Sequence, residues 1–198
     1  MGSVFLPSLP VIETEQETRL RTPEEVGARI LCLIAVAAAS DGVERKEIID
    51  WLESEPLIRK LSGRESAFLN KSEIDEHERI QFSWQSECAW LLLWASNKVS
   101  RDLPVEECDI QEILANIPDF GSSTSSFVES IMLRPKEKIV DLSDFLYRAH
   151  WATRQNSTDG SVAIGKLHPG VVQEWHYAIN WLTFYSNYED WDEVTTDT

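Results

Sequence analysis

The sequence predicts an all-α fold: a single-domain array of six or seven helices around one core, with an N-terminal arm and an acidic C-terminal tail. Three observations carry this. Apolar residues recur at three- and four-residue spacing in segment after segment, no stretch alternates strictly over more than a few residues, and there is no internal repeat. The boundaries read as an extended arm over residues 1–20 and one helical domain, tail included, over residues 21–198.

The arm holds Pro7 and Pro10 and shows no sustained period. The first helix opens at Thr22-Pro23-Glu24-Glu25, where a Thr N-cap, a Pro in the first turn and a Glu three residues on form a capping box. Val26, Ile30, Leu33, Ile34 and Ala37 follow at helical spacing, and Asp41-Gly42 supplies the stop. Because the turns between are also apolar, this helix is expected at the centre. A second helix is expected from Glu44 to Glu53, and a capping box at Ser62 and Glu65 opens a short third. Residues 72–96 read as one long helix, charged at first and densely apolar from Trp84 to Trp94, with Trp90 and Trp94 expected in the core.

Further along, a helix is expected from Glu106 to Asn116, then a loop over the run Gly121 to Ser126. Pro135 opens a helix carrying Ile139, Leu142, Leu146 and Ala149 on one side and ending near Gln155. A last helix, Val171 to about Tyr185, places Val172, Trp175, Ile179 and Leu182 on one face.

Composition narrows the function. Eighteen basic against 34 acidic side chains leave a formal charge of −16, which repels phosphate backbones, so no nucleic-acid partner is expected; such a surface can attract a basic protein, although the favoured reading of the charge alone is a solvated exterior that confers solubility. The longest apolar run, Ile30 to Ala39, is about half of the roughly 20 residues a membrane span needs. No membrane association is expected. The stretch Met1 to Pro7 lacks the basic flank of a signal peptide, and Cys32, Cys88 and Cys108 form no Cys-x-x-Cys unit. A reducing, cytoplasmic location is the expectation.

These segments together resemble a bacterial family, domain of unknown function 4272. The resemblance rests on Arg21 to Val26, the Trp84 to Trp94 helix, Leu133-Arg134-Pro135 through Leu146 to Trp151, Gly170-Val171-Val172 with Glu174 and His176, Asn180-Trp181-Leu182, and Trp191 to Thr198. It begins at residue 21 and implies no activity. Trp175 departs from the basic residue expected of relatives, which counts against an anion-binding role for that position.

Motif chemistry is sparse. Gly160 to Leu167 matches a phosphate-binding loop except that Leu167 replaces the hydroxyl residue that would ligate magnesium, and no strand precedes it. The four histidines include no pair at zinc-ligand spacing, so no metal is expected, nor is a cofactor, and without a Gly-x-Ser-x-Gly elbow a serine hydrolase has no support. Glu174 and His176 point roughly 200° apart on a helix and cannot share a site. Tyr147, His150 and Arg154 share one helical face, His176 and Asn180 another, and Glu87 lies inside an apolar helix. Glu87, His150, Arg154 and His176 are therefore the candidates for acid/base work, against the plainer alternative of a buried network that fixes helix registry.

The tail carries Glu189, Asp190, Asp192, Glu193 and Asp197, with Trp191 and Val194 as unusual company for a solvated segment. The tail acids and Trp191 are the candidate partner-binding residues. The leading expectation is a non-enzymatic protein–protein interaction module, an inhibitor or immunity-type protein. The alternative is an enzyme or small-molecule binder with an inter-helix Glu/His/Arg pocket.

Overall fold

The computed structural model describes residues 15–100, 104, 106–159 and 165–197, and within them the fold is all-α. Helix α1 (Pro23–Ser40) starts where the capping box requires: Thr22 Oγ1 accepts from Glu25 N at 3.2 Å, and Glu25 Oε2 accepts from Thr22 N at 2.8 Å. Every residue from Val26 to Ala37 is buried, so α1 is the axis of the molecule. Thr22→Ala is expected to lower unfolding free energy by about 1 kcal/mol without changing the urea m-value, since one N-terminal donor loses its partner and the core is untouched.

Around α1 stand α2 (Arg45–Ser54), α3 (Gly63–Asn70), α4 (Glu76–Ser83) and α5 (Gln85–Ala95). Beyond them lie α6 (Ile110–Leu114), α7 (Ser125–Glu129), α8 (Lys136–Asp159) and α9 (Pro169–Leu182). The principal contacts run α1 on α5, α5 on α9 and α9 on α8, three successive helix pairings from the axis outward. At the other side, the end of α7 comes so close to α1 that a Cβ on Gly27 would stand 3.0 Å from Ile131 Cγ1. A side chain there would have to push Ile131 back by a few tenths of an ångström, so glycine suits the approach.

Residues 72–96 do not form one helix. The chain breaks at Trp84 between α4 and α5, where the hydroxyls of Ser83 and Ser86 bond back to the carbonyls of Ile80 and Ser83 at 2.8 and 2.9 Å. Such bonds compete with the helical ladder. Trp90 is fully buried, but Trp94 is only half-buried, its ring face under the Arg134 guanidinium at 4.6 Å. The helix expected over residues 106–116 shrinks to α6, capped by Asp109. The run expected as a loop instead leads into α7, because Glu55 Oε2 accepts from both Thr124 N and Thr124 Oγ1, at 2.7 and 2.8 Å. Helix α7 and the division of α4 from α5 raise the number among the described residues above the six or seven expected.

Helix α9 begins two residues earlier than expected, with Pro169 in its first turn and His168 Nδ1 accepting from Val171 N at 3.3 Å. It stops at Leu182 because Phe184, Ser186 and Asn187 take left-handed φ values of 52°, 54° and 58°. Of the arm read over residues 1–20, residues 15–20 are described, and Thr18 is already buried. No helix among the described residues is long and apolar enough to cross a membrane.

Candidate functional site

Helix α9 carries two polar faces, as the angular argument requires. One meets α5 and the other meets α8. Toward α5, Glu87 is buried and each of its carboxylate oxygens has an N–H donor: Cys108 N on Oε1 and Trp175 Nε1 on Oε2, the latter at 3.0 Å. The Trp175 indole, which stands where a basic residue was expected of relatives, also stacks on Trp90 with ring centroids 4.8 Å apart and planes inclined by 6°. Trp90 in turn donates to Glu112 at 2.8 Å. Glu87 thus ties α5 to α9 and to the segment before α6.

Toward α8, His176 and His150 face each other with Nδ1 to Nδ1 at 3.0 Å, so one ring donates and the other accepts. Both are buried. Burial, reinforced by the nearby Arg154 cation, lowers the His150 pKa to about 4, and burial with the neighbouring His150 lowers that of His176 to about 3. The pair is neutral at physiological pH. His150 and the exposed Arg154 line a shallow cavity of about 300 Å³ together with Thr153 and Gln173. Glu87 is not among its walls, so the four acid/base candidates do not converge on one cavity.

A larger cleft, about 460 Å³, opens between α4, α5, α9 and the tail. Its α9 wall is Gly170, Gln173, Glu174 and Tyr177, spaced to share a face, and its α5 wall is Gln85 and Cys88. The Cys88 thiol donates to Glu174 Oε2 at 3.3 Å and to the Glu174 carbonyl at 3.4 Å. Burial, with a contribution from the Glu87 charge, raises the Glu174 carboxyl to about 7, while burial beside Glu174 pushes the Cys88 thiol well up and leaves it inert as a nucleophile. Sequence reasoning missed this pair, since nothing local links residues 86 positions apart. A signal was present in Gly170, which lets the Trp84 ring in: a Cβ there would lie 2.8 Å from Trp84 Cζ/η atoms, at Cη2.

The tail folds back on its own domain. Trp191 and Val194 are buried, Tyr177 Oη donates to the Trp191 carbonyl, and Trp191 packs edge-on against Tyr177 and Trp181 at 5.0 and 5.5 Å. Asp192 Oδ2 accepts from Arg64 N at 2.9 Å and so caps α3 alongside Ser62. The Glu189 carboxylate meets Arg19 at 3.1 Å and Arg21 at 3.5 Å, whereas Asp190, Glu193 and Asp197 are exposed. Of the phosphate-loop resemblance, residues 160–164 lie outside the described residues. Among the described residues, no group of three His, Cys, Asp or Glu side chains is close enough to hold a metal ion.

The sequence profile of the family described as Domain of unknown function (DUF4272) matches residues 2–194. The chain belongs to the DUF4272 family. The match starts well before residue 21, so the arm, too, is part of what this DUF4272 chain shares with its relatives. No curated protein and no solved structure matches it.

Proposed function

We propose that this DUF4272 chain is a non-enzymatic protein–protein interaction module whose acidic exterior receives a basic protein, in the manner of a cytoplasmic inhibitor or immunity-type protein of bacteria. The observation that carries this reading lies in the segment between α5 and α8. From residue 102 to residue 133 the sequence has no Lys or Arg, yet it holds Glu106, Glu107, Asp109, Glu112, Asp119 and Glu129. The same stretch supplies Ile110, Leu114, Phe120 and Met132, four of the six large apolar side chains exposed among the described residues. Carboxylates beside exposed apolar groups suit a partner that is basic and partly apolar, because charge steers the encounter and apolar burial holds it.

The sequence-derived catalytic candidates support a binding role by the way they are used. Glu87 has a donor on each oxygen, and His150 and His176 pair through their Nδ1 atoms. In the tail, Asp190, Glu193 and Asp197 extend the acidic exterior. A second reading, an enzyme or small-molecule binder, keeps His150 and Arg154 through the cavity they share.

The test is a native capture from the source cell with three baits: the full chain, a Glu106→Gln, Glu107→Gln, Leu114→Ser variant, and an Asp190→Asn, Glu193→Gln, Asp197→Asn variant. A stoichiometric basic protein is expected with the full chain, bound about ten-fold or more weaker by the first variant and weakened further by salt. A partner held equally by all three baits, or no stoichiometric protein at all, overturns the proposal. A retained metabolite that Arg154→Ala releases would establish the second reading instead.

A further inference from the structure

The 460 Å³ cleft contains one buried acceptor that receives no hydrogen bond and one carboxyl group whose donor is a thiol. Gln85 Oε1 is buried and receives no hydrogen bond. Among the described residues, Glu174, on the opposite wall, is paired with no cation, and the hydrogen bond its side chain receives comes from the Cys88 thiol, a weak donor. Buried carboxyl groups are normally paired or heavily hydrogen-bonded, and a buried amide oxygen without a donor is uncommon. Gln85 and Cys88 are one helical turn apart and Cys88 touches Glu174, so both acceptors face the same space.

The rest of the cleft fits what those acceptors need. Phe82, Trp84, Tyr177 and Trp191 supply aromatic surface. The cationic side chain on the wall, Arg64, and His77 are both exposed and stand at the solvent edge, whereas Gln85 and Glu174 are partly buried. A ligand with several N–H donors and positive charge would satisfy both acceptors at once and lie against aromatic faces. The net charge of −16 raises the local concentration of such a ligand.

We propose that the cleft bounded by Trp84, Gln85, Glu174, Tyr177 and Trp191 is a binding site for an organic ammonium group, with Glu174 as counter-ion and Gln85 as second acceptor. The ammonium arrives on a free amine or on a lysine side chain of a bound protein; the chemistry that recognises it is the same. This site is independent of the acidic segment around α6, and Glu174→Gln leaves that segment untouched.

Calorimetric titration of the full chain with n-butylammonium, tetramethylammonium and Nα-acetyl-lysine amide tests it. Butylammonium is expected to bind saturably, and tetramethylammonium about ten-fold or more weaker because it has no N–H to donate. Binding should release protons near pH 7, since Glu174 must ionise to hold the cation, while Glu87, Cys88, Tyr177, Asp192, Arg64 and His77 also face the site or its neighbours. Glu174→Gln should weaken butylammonium by about ten-fold or more and abolish the proton release. Gln85→Met should weaken it several-fold while raising Tm, because it removes an acceptor that lacks a donor in the empty cleft. Tighter binding of the lysine derivative than of butylammonium assigns the cation to a protein side chain, and the reverse order to a free amine. The proposal falls if no probe gives saturable heat at millimolar concentration, or if butylammonium binds Glu174→Gln as well as the parent. Should Glu174→Gln fail to fold, unchanged affinity in Gln85→Met overturns it equally.

Discussion

Glu65→Ala is expected to destabilise the fold by about 3–5 kcal/mol, read from urea unfolding as a lower midpoint at constant m. Glu65 is fully buried, and Arg29, on the central helix α1, is nearly so. The Arg29 Nη2 atom lies 2.6 Å from Oε1 and 2.5 Å from Oε2, while the same Oε2 accepts from Ser62 N at 2.8 Å to close the capping box of α3. One carboxylate therefore starts a helix and neutralises the cation of another. Removing it leaves a guanidinium in the core with no counter-charge, and desolvation of that charge dominates the loss. Arg29→Met combined with Glu65→Met should recover most of it, because no ion then remains buried. A loss below about 1 kcal/mol for Glu65→Ala would show the pair behaving as a solvent-exposed one does.

Acidification from pH 6 to pH 5 is expected to lower stability by about 1.4 kcal/mol, and Glu174→Gln to double that slope to about 2.7 kcal/mol per pH unit. His150 and His176 fold with pKa values lowered from 6.5 to about 4 and about 3. Between those values and 6.5 only the unfolded chain binds the two protons, so the stability they contribute is complete above 6.5 and lost as pH falls. Glu174 runs the other way: raised from 4.5 to about 7, it is protonated in the fold and ionised in the unfolded chain, and its contribution is lost as pH rises through that window. Two protons gained on unfolding against one released leave a net of one. Stability curves at pH 5, 5.5 and 6 for the two proteins check it, and equal slopes would mean that Glu174 ionises normally.

The parts of the fold that were legible in the sequence are those determined within one helix. The capping boxes at Thr22 and Ser62 and the unbroken apolar run of α1 are local, and each was visible as written. So was the divergence of Glu174 from His176, which follows from helical geometry alone and correctly assigns them to different helix pairs. What the sequence did not disclose is which helices meet. The pairing of Glu174 with Cys88, of Glu87 with Trp175 and of Asp192 with the start of α3 each spans more than 80 residues. The break at Trp84 goes with hydroxyl bonds of Ser83 and Ser86 that many helical serines make, and the distant Gly170 that gives the Trp84 ring its space was not visible locally. Helices α6 and α7 are too short to show a period, and their starts depend on Asp109 and on the distant Glu55.

Arg21 ties the entrance of α1 to the far end of α9 and the tail. Its N–H donates to the Leu182 carbonyl, and its guanidinium reaches the carbonyls of Trp181, Tyr188 and Glu189 at 3.2, 2.7 and 3.1 Å. These bonds join positions 160 to 168 residues apart, so closing them carries a large loop-closure entropy. During synthesis Arg21 leaves the ribosome long before its acceptors exist. The entrance to α1 thus waits, unlatched, until residues 181–189 have been made, and the same latch is expected to open locally before the α1–α5 core does.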